Sequence, residues 1–523
     1  MRNFHQTGRS AVYATNGICA TSHPLAAKVA VQMLESGGNA MDAAIAGAVL
    51  LGICEPQMTG IGGDCFVLFT PPGEDRVLAL NGSGRAPGGI EAQALRAKGP
   101  VIAPYSADAV TVPGAVDAFC RLSKDWGRMG LKAVLAPAIH YAESGVPVAE
   151  RVASDWAQAK HLSGMARDMF LRGGEPLRAG QIFAAPKQAE ALRRIALEGR
   201  AGFYEGEVAE DMVTALRAQG GCHTLEDFAA TACDYTDPVM GGYGGLELYE
   251  HPPNGQGATA ILLLNILKHF DIAAMDPWGA ERAHIEAEAT KLAYDTRNRF
   301  MADPDYMTRL DHMTAPETAA KLAALIDPAR AMPAALPGAE AVHKDTIYIT
   351  VVDKDRMAVS LIYSVFHGFG SGIASDRFGI LFQNRGAGFT LEQGHPNEVG
   401  PGKRPMHTII PAMLKKDGKV LMPFGVMGGQ YQSTGHARFV SNITDFGLSP
   451  QAAIDAPRCF ADGKVLNVED GYSDAVKAAL VGLGHDVRRP DTAIGGAQAI
   501  LIHDTGVLEG GSDPRKDGCA LGY

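Results

Sequence analysis

The chain has 523 residues and a formal net charge of −11 at pH 7, with 46% hydrophobic and 20% charged residues. This length allows several packed layers around a large core, and the composition is that of an ordinary globular protein. The negative charge argues against nucleic acid as the main partner, although it leaves room for a local positive pocket.

The start of the chain lacks the continuous apolar core of a signal peptide, so we expect a protein that is not exported. The most apolar run, residues 40–54, is interrupted by Asp42 and is shorter than the ~20 residues that a membrane helix needs. It predicts a buried helix and no membrane partner. The eight cysteines show no C-x-x-C spacing, which is typical of free thiols in a reducing compartment. The expected location is the cytoplasm.

Helical patterns dominate the first two-thirds of the chain. Residues 24–36 have apolar side chains at helical spacing and stop at Gly37-Gly38, and Asn39 is a candidate N-cap for a second helix through Val49. Five more helices are predicted at residues 131–144, 187–197, 209–219, 258–269 and 280–299. Glycine-rich turns lie between them, at residues 59–63, 81–84 and 252–257.

Short strands replace helices in the last third. Residues 315–341 predict a short helix and an irregular segment, which ends at residues 343–345. Strands are then predicted at residues 347–352, 357–363, 378–382, 408–414 and 419–425. This change indicates a new layer within one fold, because no flexible linker separates the two parts.

Several common motifs are excluded. Residues 368–372 resemble the start of a dinucleotide loop, but the third glycine comes one position early and no suitable helix follows. No Walker sequence, H-E-x-x-H or G-x-S-x-G is present. His284 and Glu288 are one helical turn apart, as metal ligands are, but no third ligand is close in sequence. We interpret them as a solvated helix face and expect neither a metal nor a cofactor.

Thr346 stands at the start of a predicted core strand, directly after a loop. A threonine hydroxyl is a poor nucleophile until a base takes its proton. Cleavage of the Asp345–Thr346 bond would free the α-amino group of Thr346, whose reference pKa of about 7.7–8.0 suits that task near neutrality. The same pattern also suits an ordinary strand, because threonine favours strands.

Motifs along nearly the whole chain strengthen the catalytic interpretation. In order, they are GGNAMDAA at 37–44, EPQMTGIGG at 55–63, VPG at 112–114, PPNGQG at 252–257, Thr346 with VVD at 351–353, FGSGI at 369–373, GPGKRP at 400–405, MGG at 427–429 and DAPR at 455–458. With these motifs the sequence resembles the γ-glutamyltransferase family of N-terminal-nucleophile hydrolases.

The resemblance implies an α+β fold, a four-layer αββα sandwich. It also implies self-cleavage into a large subunit, residues 1–345, and a small subunit, residues 346–523, which remain together as a heterodimer. Whether two heterodimers then pair is left open. Asp345 and Thr346 form the implied cleavage site.

Four residues carry the implied catalytic roles. Thr346 matches the family's nucleophile, and Ser364 matches a hydroxyl residue that assists it. Gly428 and Gly429 match the backbone N–H donors that bind the oxyanion, where a missing side chain allows close approach. Ser364 as an ordinary polar strand residue, and the glycines as a tight turn, remain alternatives.

The substrate-binding residues depart from the family pattern. Ser83 stands where the family's transferases have a carboxylate-binding arginine, and Arg85 is displaced by two positions. Gly388 replaces an acidic residue that holds an α-amino group, and Phe366 replaces a pocket asparagine. His407-Thr408 replaces a serine pair. The segment 389–400 is shorter than the same segment in family members that have a lid loop.

Arg385 offers a new handle for a carboxylate, which a guanidinium can bind through two hydrogen bonds. A structural ion pair for Arg385 is the alternative. The predicted substrate-binding residues are therefore Arg385, with Arg85, His407, Thr408 and Phe366.

In these departures the sequence resembles the oxamate amidohydrolases within the family. We therefore expect hydrolysis of a small carboxylate-bearing amide, and the alternative is a γ-glutamyl hydrolase or transferase that acts on glutathione or related compounds. A non-enzymatic binding protein on the same scaffold is disfavoured, because it would be free to lose Thr346 and both glycines. A metal hydrolase is disfavoured because the sequence lacks an evident ligand set.

Overall fold

The computed structural model describes His5, residues 8–333 and residues 346–523. The predicted segment at 343–345, with Asp345, lies outside these residues. The helices are α1 Pro24–Glu35, α2 Ala40–Cys54, α3 Ala92–Lys98, α4 Ala115–Trp126, α5 Leu131–Ser144, α6 Glu150–Trp156, α7 Gly164–Phe170, α8 Pro186–Glu198, α9 Ala201–Tyr204, α10 Gly206–Ala218, α11 Leu225–Ala229, α12 Gly257–Leu267, α13 Ala280–Phe300, α14 Leu310–Thr314, α15 Pro316–Ala323, α16 Gln432–Thr444, α17 Pro450–Asp455 and α18 Asp474–Gly482.

The strands are also numbered in chain order. They are β1 Val12–Ala14, β2 Ile18–Thr21, β3 Asp64–Thr70, β4 Leu78–Gly82, β5 Val146–Pro147, β6 Leu171–Arg172, β7 Glu175–Pro176, β8 Ile182–Phe183, β9 Asp234–Thr236, β10 Val239–Tyr243, β11 Leu246–Glu250, β12 Ile347–Val352, β13 Ala358–Ser364, β14 Ala412–Lys416, β15 Lys419–Met427, β16 Cys459–Asp462, β17 Val465–Val468, β18 Asp486–Arg488, β19 Gly496–Ile502, β20 Leu508–Ser512 and β21 Cys519–Gly522.

Two large antiparallel sheets contain most of these strands. Within the described residues, one sheet has the order β1-β20-β19-β15-β14-β11-β10, and the other has the order β21-β2-β12-β13-β3-β4-β9. We call them the first sheet and the second sheet. Strand β12 lies inside the second sheet, between β2 and β13. Both of its edges are therefore paired, and all six of its residues are buried.

The buried clusters show four layers. Helices α1, α2, α4, α5 and α8 pack on the outer face of the second sheet, where Val67, Ile349 and Leu361 point. Helices α12, α13 and α16 cover the first sheet. Between the sheets, residues of the second such as Ile18 and Leu68 meet Met413 and Ile500 of the first. This arrangement confirms the predicted αββα sandwich.

The predicted helices are confirmed with small shifts at their ends. Helix α5 has the predicted bounds, while α2 begins after the Asn39 cap as predicted but continues to Cys54. All fifteen residues of α2 are buried, as its apolar composition predicted. No helix in the described part of the chain is long and apolar enough to cross a membrane. All eight cysteines are free thiols.

Two predictions about local structure are wrong. Residues 378–382 form no strand, because Gly379 has a φ of +63° and breaks the extended backbone; only an isolated bridge joins Ala374 to Leu381. The strand predicted from residue 408 begins at Ala412, directly after Pro411, which has no N–H for a ladder.

His284 and Glu288 are not on a solvated helix face. Both are buried, because α13 packs against α18 and the small sheet of β16, β17 and β18. Helical spacing gives the face on which a residue lies, but only the tertiary fold determines what covers that face.

Candidate active site

Thr346 directly precedes β12 and faces the space between the two sheets. Along β12, Ile347, Ile349 and Val351 point to the helical layer, whereas Tyr348 and Val352 point to the first sheet. Side chains alternate along a strand, so Thr346 has the parity of Tyr348 and faces the first sheet. Its side chain is only 2% exposed.

Ser364 is brought to Thr346 by the pairing of β12 with β13. Ile347 is opposite Tyr363, so the next pair along the register joins Thr346 and Ser364. The Thr346 hydroxyl donates to Ser364 Oγ at 2.9 Å, and the same oxygen accepts from the N–H of Phe366, also at 2.9 Å. Ser364 is therefore in position to orient the hydroxyl of Thr346.

We expect Ser364→Ala to slow amide hydrolysis by about 10- to 100-fold, the value of one hydrogen bond to a developing charge. Steady-state kinetics on the processed protein measure it. Ser360→Ala is the matched control, since Ser360 is buried on the same face of β13 but contacts Tyr348 and Phe424. Its loss should lower the melting temperature and leave kcat within about twofold. Equal losses of kcat in both variants would contradict the role of Ser364.

Gly428 and Gly429 follow β15, which ends at Met427. Gly428 has a φ of +122°, and a Cβ there would lie 2.8 Å from Gly495 Cα, so only glycine fits without a shift. Met427 packs beside Tyr348 in the core between the sheets, which brings this turn to the same side as Thr346. The glycines thus have a structural reason of their own, alongside the predicted role as oxyanion donors.

Arg385 is fully buried and only partly hydrogen-bonded. Its Nη1 donates to Thr408 Oγ1 at 3.1 Å, and its guanidinium lies over the ring of Phe366 at 4.0 Å. No hydrogen-bond acceptor among the described residues contacts its Nε or Nη2. None of the ion pairs within 4 Å in residues 8–333 and 346–523 includes it, and the buried carboxylate of Asp64 acts on its charge only from a longer distance.

Burial lowers the pKa of Arg385 to about 9, and the nearby carboxylate of Asp64 opposes that shift. The guanidinium therefore stays charged at neutral pH. A buried charge with two unsatisfied N–H groups is costly unless an anion completes it. Phe366, whose φ of +81° is rare for a residue with a side chain, links this cation to Ser364.

His407 and Asp64 form a second buried pair beside Arg385. His407 Nε2 lies 3.1 Å from Asp64 Oδ2, and the other oxygen of Asp64 accepts from the N–H groups of Gly84 and Gly114. Burial raises the pKa of Asp64 to about 6 and lowers the pKa of His407 well below its usual value.

These pKa shifts change the predicted role of His407. At neutral pH the imidazole is neutral, and its Nε2–H donates to the ionised Asp64. The Nδ1 atom then carries a lone pair and has no partner among the described residues. His407 thus offers a hydrogen-bond acceptor, and not the positive charge that assistance to a carboxylate would require.

Arg85 makes its contacts with other residues, outside this cluster. Its side chain is 40% exposed, its Nη1 donates to the carbonyl of Gly402, and its guanidinium lies within 4 Å of Asp303 and Asp234. The prediction that Arg85 assists substrate binding draws no support from these contacts, because its charge is already paired.

Two positions at which the family's substrate-binding side chains are absent are occupied by other structural contacts. Ser83 is buried, and its Oγ accepts from Asn254 Nδ2 at 3.0 Å. At Gly388 a Cβ would lie 2.8 Å from the carbonyl oxygen of Met406, so an acidic side chain does not fit there without a shift of the backbone. This position therefore offers no acidic partner for an α-ammonium group.

Two residues of the site were missed in the sequence. Asp64 begins the buried strand β3, and a polar residue at the start of an apolar strand is the same signal that singled out Thr346. Gln256, within a motif already noted, donates from Nε2 to the carbonyls of Thr408 and Gly429, at 2.6 and 3.4 Å. It thereby connects the Arg385 side of the pocket to the glycine turn.

Comparison with known proteins agrees with this geometry. The family model "Gamma-glutamyltranspeptidase" matches residues 26–523. The Glutathione hydrolase-like YwrD proenzyme of Bacillus subtilis and the Oxamate amidohydrolase proenzyme of Klebsiella pneumoniae are each 35% identical, over 98% of this chain and 99% of theirs. The crystal structure of cephalosporin acylase from Bacillus halodurans superposes with a TM-score of 0.93 at 38% identity, covering 100% of this chain and 98% of that one.

Proposed function

Because the chain belongs to the gamma-glutamyltranspeptidase family, we propose that it is a self-processing amidohydrolase that cleaves a small, carboxylate-bearing amide such as oxamate. Membership of the family supports the general activity, that of an enzyme of the N-terminal-nucleophile type that is made as a precursor. The substrate and the residue roles are our proposal, with Thr346 as nucleophile and Arg385 as the carboxylate-binding group.

One observation carries the choice of substrate. Arg385 has two buried nitrogens, Nε and Nη2, without an acceptor among the described residues, and it lies over Phe366, whose own N–H contacts Ser364 Oγ. Ser364 Oγ in turn accepts from the Thr346 hydroxyl, so Phe366 and Ser364 connect the guanidinium to the proposed nucleophile. The ring of Phe366 fills space, so a two-carbon acyl group fits the pocket better than a five-carbon one.

Turnover follows from these positions. Thr346 Oγ1 attacks the amide carbonyl of the bound substrate while its α-amino group takes the hydroxyl proton. The N–H groups of Gly428 and Gly429 stabilise the oxyanion, and such donors contribute about 3–4 kcal/mol each in other enzymes. The amine carries that proton to the departing nitrogen, which leaves as ammonia. Water then hydrolyses the acyl ester, so oxamate and water give oxalate and ammonia.

Self-cleavage uses the same hydroxyl on the chain itself. Thr346 Oγ1 attacks the carbonyl carbon of Asp345, the peptide C–N bond breaks, and the acyl group moves to oxygen as an ester. Water hydrolyses that ester, which leaves a carboxylate on Asp345 and a free α-amino group on Thr346. Ser364 Oγ, which accepts from the Thr346 hydroxyl at 2.9 Å, orients this attack.

We expect the purified protein to run as two bands, of 345 and 178 residues, on a denaturing gel. N-terminal sequencing of the smaller band should begin Thr346-Ile347-Tyr348. The pieces should still elute together from a sizing column without denaturant, because β12 is paired with β2 across the cut. A single intact band after prolonged incubation at 37 °C would contradict self-cleavage.

A γ-glutamyl hydrolase or transferase is the second candidate function. The name of the Bacillus subtilis relative supports it, whereas the blocked position at Gly388 argues against it. Incubating the processed protein separately with oxamate, glutathione, glutamine, a γ-glutamyl anilide and an acylated cephalosporin separates the possibilities. Added glycylglycine should change the rate little for a hydrolase, because water is then the acceptor. Faster turnover of the γ-glutamyl compounds would favour the second candidate.

The cellular location and the subunit composition of the enzyme are also part of the proposal. Eight free thiols suit a reducing compartment, which favours the cytoplasm. The two subunits would form a heterodimer, with Thr346 at the start of the smaller one.

A further inference from the structure

Three potential metal ligands meet far from the nucleophile in sequence. His284 and Glu288 lie one turn apart on α13, and His485 comes from the segment between α18 and β18. One donor atom of each lies within 4.8 Å of the others. All three side chains are buried, and His485, the most exposed, is only 6% accessible. This third ligand is about 200 positions away, so the sequence did not reveal it.

A backbone carbonyl fixes the orientation of His284. Its Nε2 lies 2.8 Å from the carbonyl oxygen of Asp327, and a carbonyl only accepts, so Nε2 carries the proton. The Nδ1 atom therefore carries a lone pair, which accepts the Nε2–H of His485 at 2.8 Å. A metal-binding histidine is usually held in this way by a carbonyl on one nitrogen while the other coordinates the ion, so a metal here would replace the hydrogen bond from His485.

Glu288 is held in place and keeps lone pairs for an ion. Its Oε1 accepts from Lys291 Nζ at 2.7 Å, and its Oε2 accepts from the N–H of Met332 at 2.7 Å. Each carboxylate oxygen has two lone pairs, so one remains on each atom. Lys291 also donates to the carbonyl of Met332, at 3.1 Å. Its ammonium is the one group in this cluster that would oppose a cation.

We propose that His284, Glu288 and His485 bind one zinc ion, with a fourth position for water. Two imidazole nitrogens and one carboxylate oxygen form a donor set that zinc prefers, with bonds of about 2.0–2.2 Å. In a tetrahedral site such bonds place ligand atoms roughly 3.3 Å apart. The two histidine nitrogens would thus separate by about 0.5 Å from the observed contact, a small rotation for a residue on a short loop.

The ion would have a structural role. His284 and Glu288 precede Thr346 and His485 follows it, so one ion would connect the two subunits. That consequence rests on the proposed self-cleavage, whereas the binding site itself does not. Zinc binding measured on a Thr346→Ala chain therefore tests the site even if cleavage never occurs.

Metal-depleted protein titrated with zinc chloride against a chromophoric chelator gives the stoichiometry and the affinity. We expect one tight equivalent per chain, with affinity at least 100-fold weaker in His485→Ala and at least tenfold weaker in Glu288→Gln. His269→Ala, an exposed histidine outside the cluster, should bind as the wild type does. Cobalt(II) in place of zinc should show the visible absorption bands of a tetrahedral site.

Lys291→Met is the most discriminating variant in this experiment. Removing the ammonium should tighten zinc binding by about tenfold, since one unit charge within a few ångströms of the ion disappears. In a purely structural hydrogen-bond cluster, the same change would leave zinc binding unaltered. The proposal is overturned if wild-type protein binds zinc with a Kd above roughly 10 µM, which is far weaker than structural zinc sites bind. It is also overturned if His485→Ala binds equally well or if Lys291→Met does not tighten binding.

Discussion

Thr346→Ala is expected to leave a single uncut chain of 523 residues without measurable amide hydrolysis. The substitution removes the hydroxyl that, in the proposed function, attacks both the Asp345 carbonyl and the substrate. The expected fall in rate is on the order of 10⁴-fold or more, as for other covalent nucleophiles. A denaturing gel and an ammonia-release assay with oxamate measure the two losses.

Thr346→Ser is the matched variant, because it keeps a hydroxyl and an α-amino group. It should retain part of both the processing and the turnover. Its extra freedom at χ1 should make each step slower than in the wild type. If Thr346→Ala still processed and turned over as the serine variant does, the nucleophile would have to lie elsewhere.

Intact-mass analysis locates the acyl intermediate. Quenching the wild-type reaction in acid should trap the substrate's acyl group on the 178-residue piece that begins at Thr346. An adduct on the 345-residue piece would contradict the assignment independently of any variant.

Arg385→Ala is expected to lower kcat/KM for oxamate by about 100-fold or more and to leave self-cleavage intact. The loss corresponds to a charge-assisted, bidentate contact with the substrate carboxylate. Processing needs no bound substrate, so the gel pattern should not change. Arg488→Ala is the control, because Arg488 is 63% exposed and pairs only with Asp486 near the surface.

Thermal unfolding of Arg385→Met separates binding from structure. Arg385 is a buried cation whose Nε and Nη2 have no acceptor among the described residues, so replacing it with an apolar side chain of similar length should maintain or raise the melting temperature. A structural arginine would give the opposite result, a lower melting temperature with activity lost in proportion. Faster hydrolysis of a γ-glutamyl anilide than of oxamate by the wild type would also show that the pocket argument is wrong.

Much of the fold follows from local patterns in the sequence. The bounds of α5 and β12 agree with prediction because helical spacing and β-branched runs are strong local signals. The contact between Thr346 and Ser364 then follows from the register of one hairpin, β12 with β13. Tertiary structure decides the rest. The apolar run at 378–382 packs as irregular chain, because Gly379 bends it.

The chemistry of the pocket depended still more on tertiary structure. The sequence suggested that His407 and Arg85 assist Arg385 in substrate binding, yet burial makes His407 neutral, and Asp303 and Asp234 already engage Arg85. Asp64 and His485 escaped notice because their partners lie hundreds of residues away. Residue types indicate which groups are available, whereas protonation states and partners depend on the environment that the fold creates.

The strand order of the second sheet explains why such a protein has to be made as one chain. Both neighbours of β2, namely β12 and β21, come from residues after the cut, and the β12–β13 hairpin has its outer neighbours, β2 and β3, before it. Either segment produced alone would present long apolar strands with open edges, which are templates for aggregation. The proposed break would therefore have to follow folding, and co-expression of two separate genes should yield mostly insoluble material.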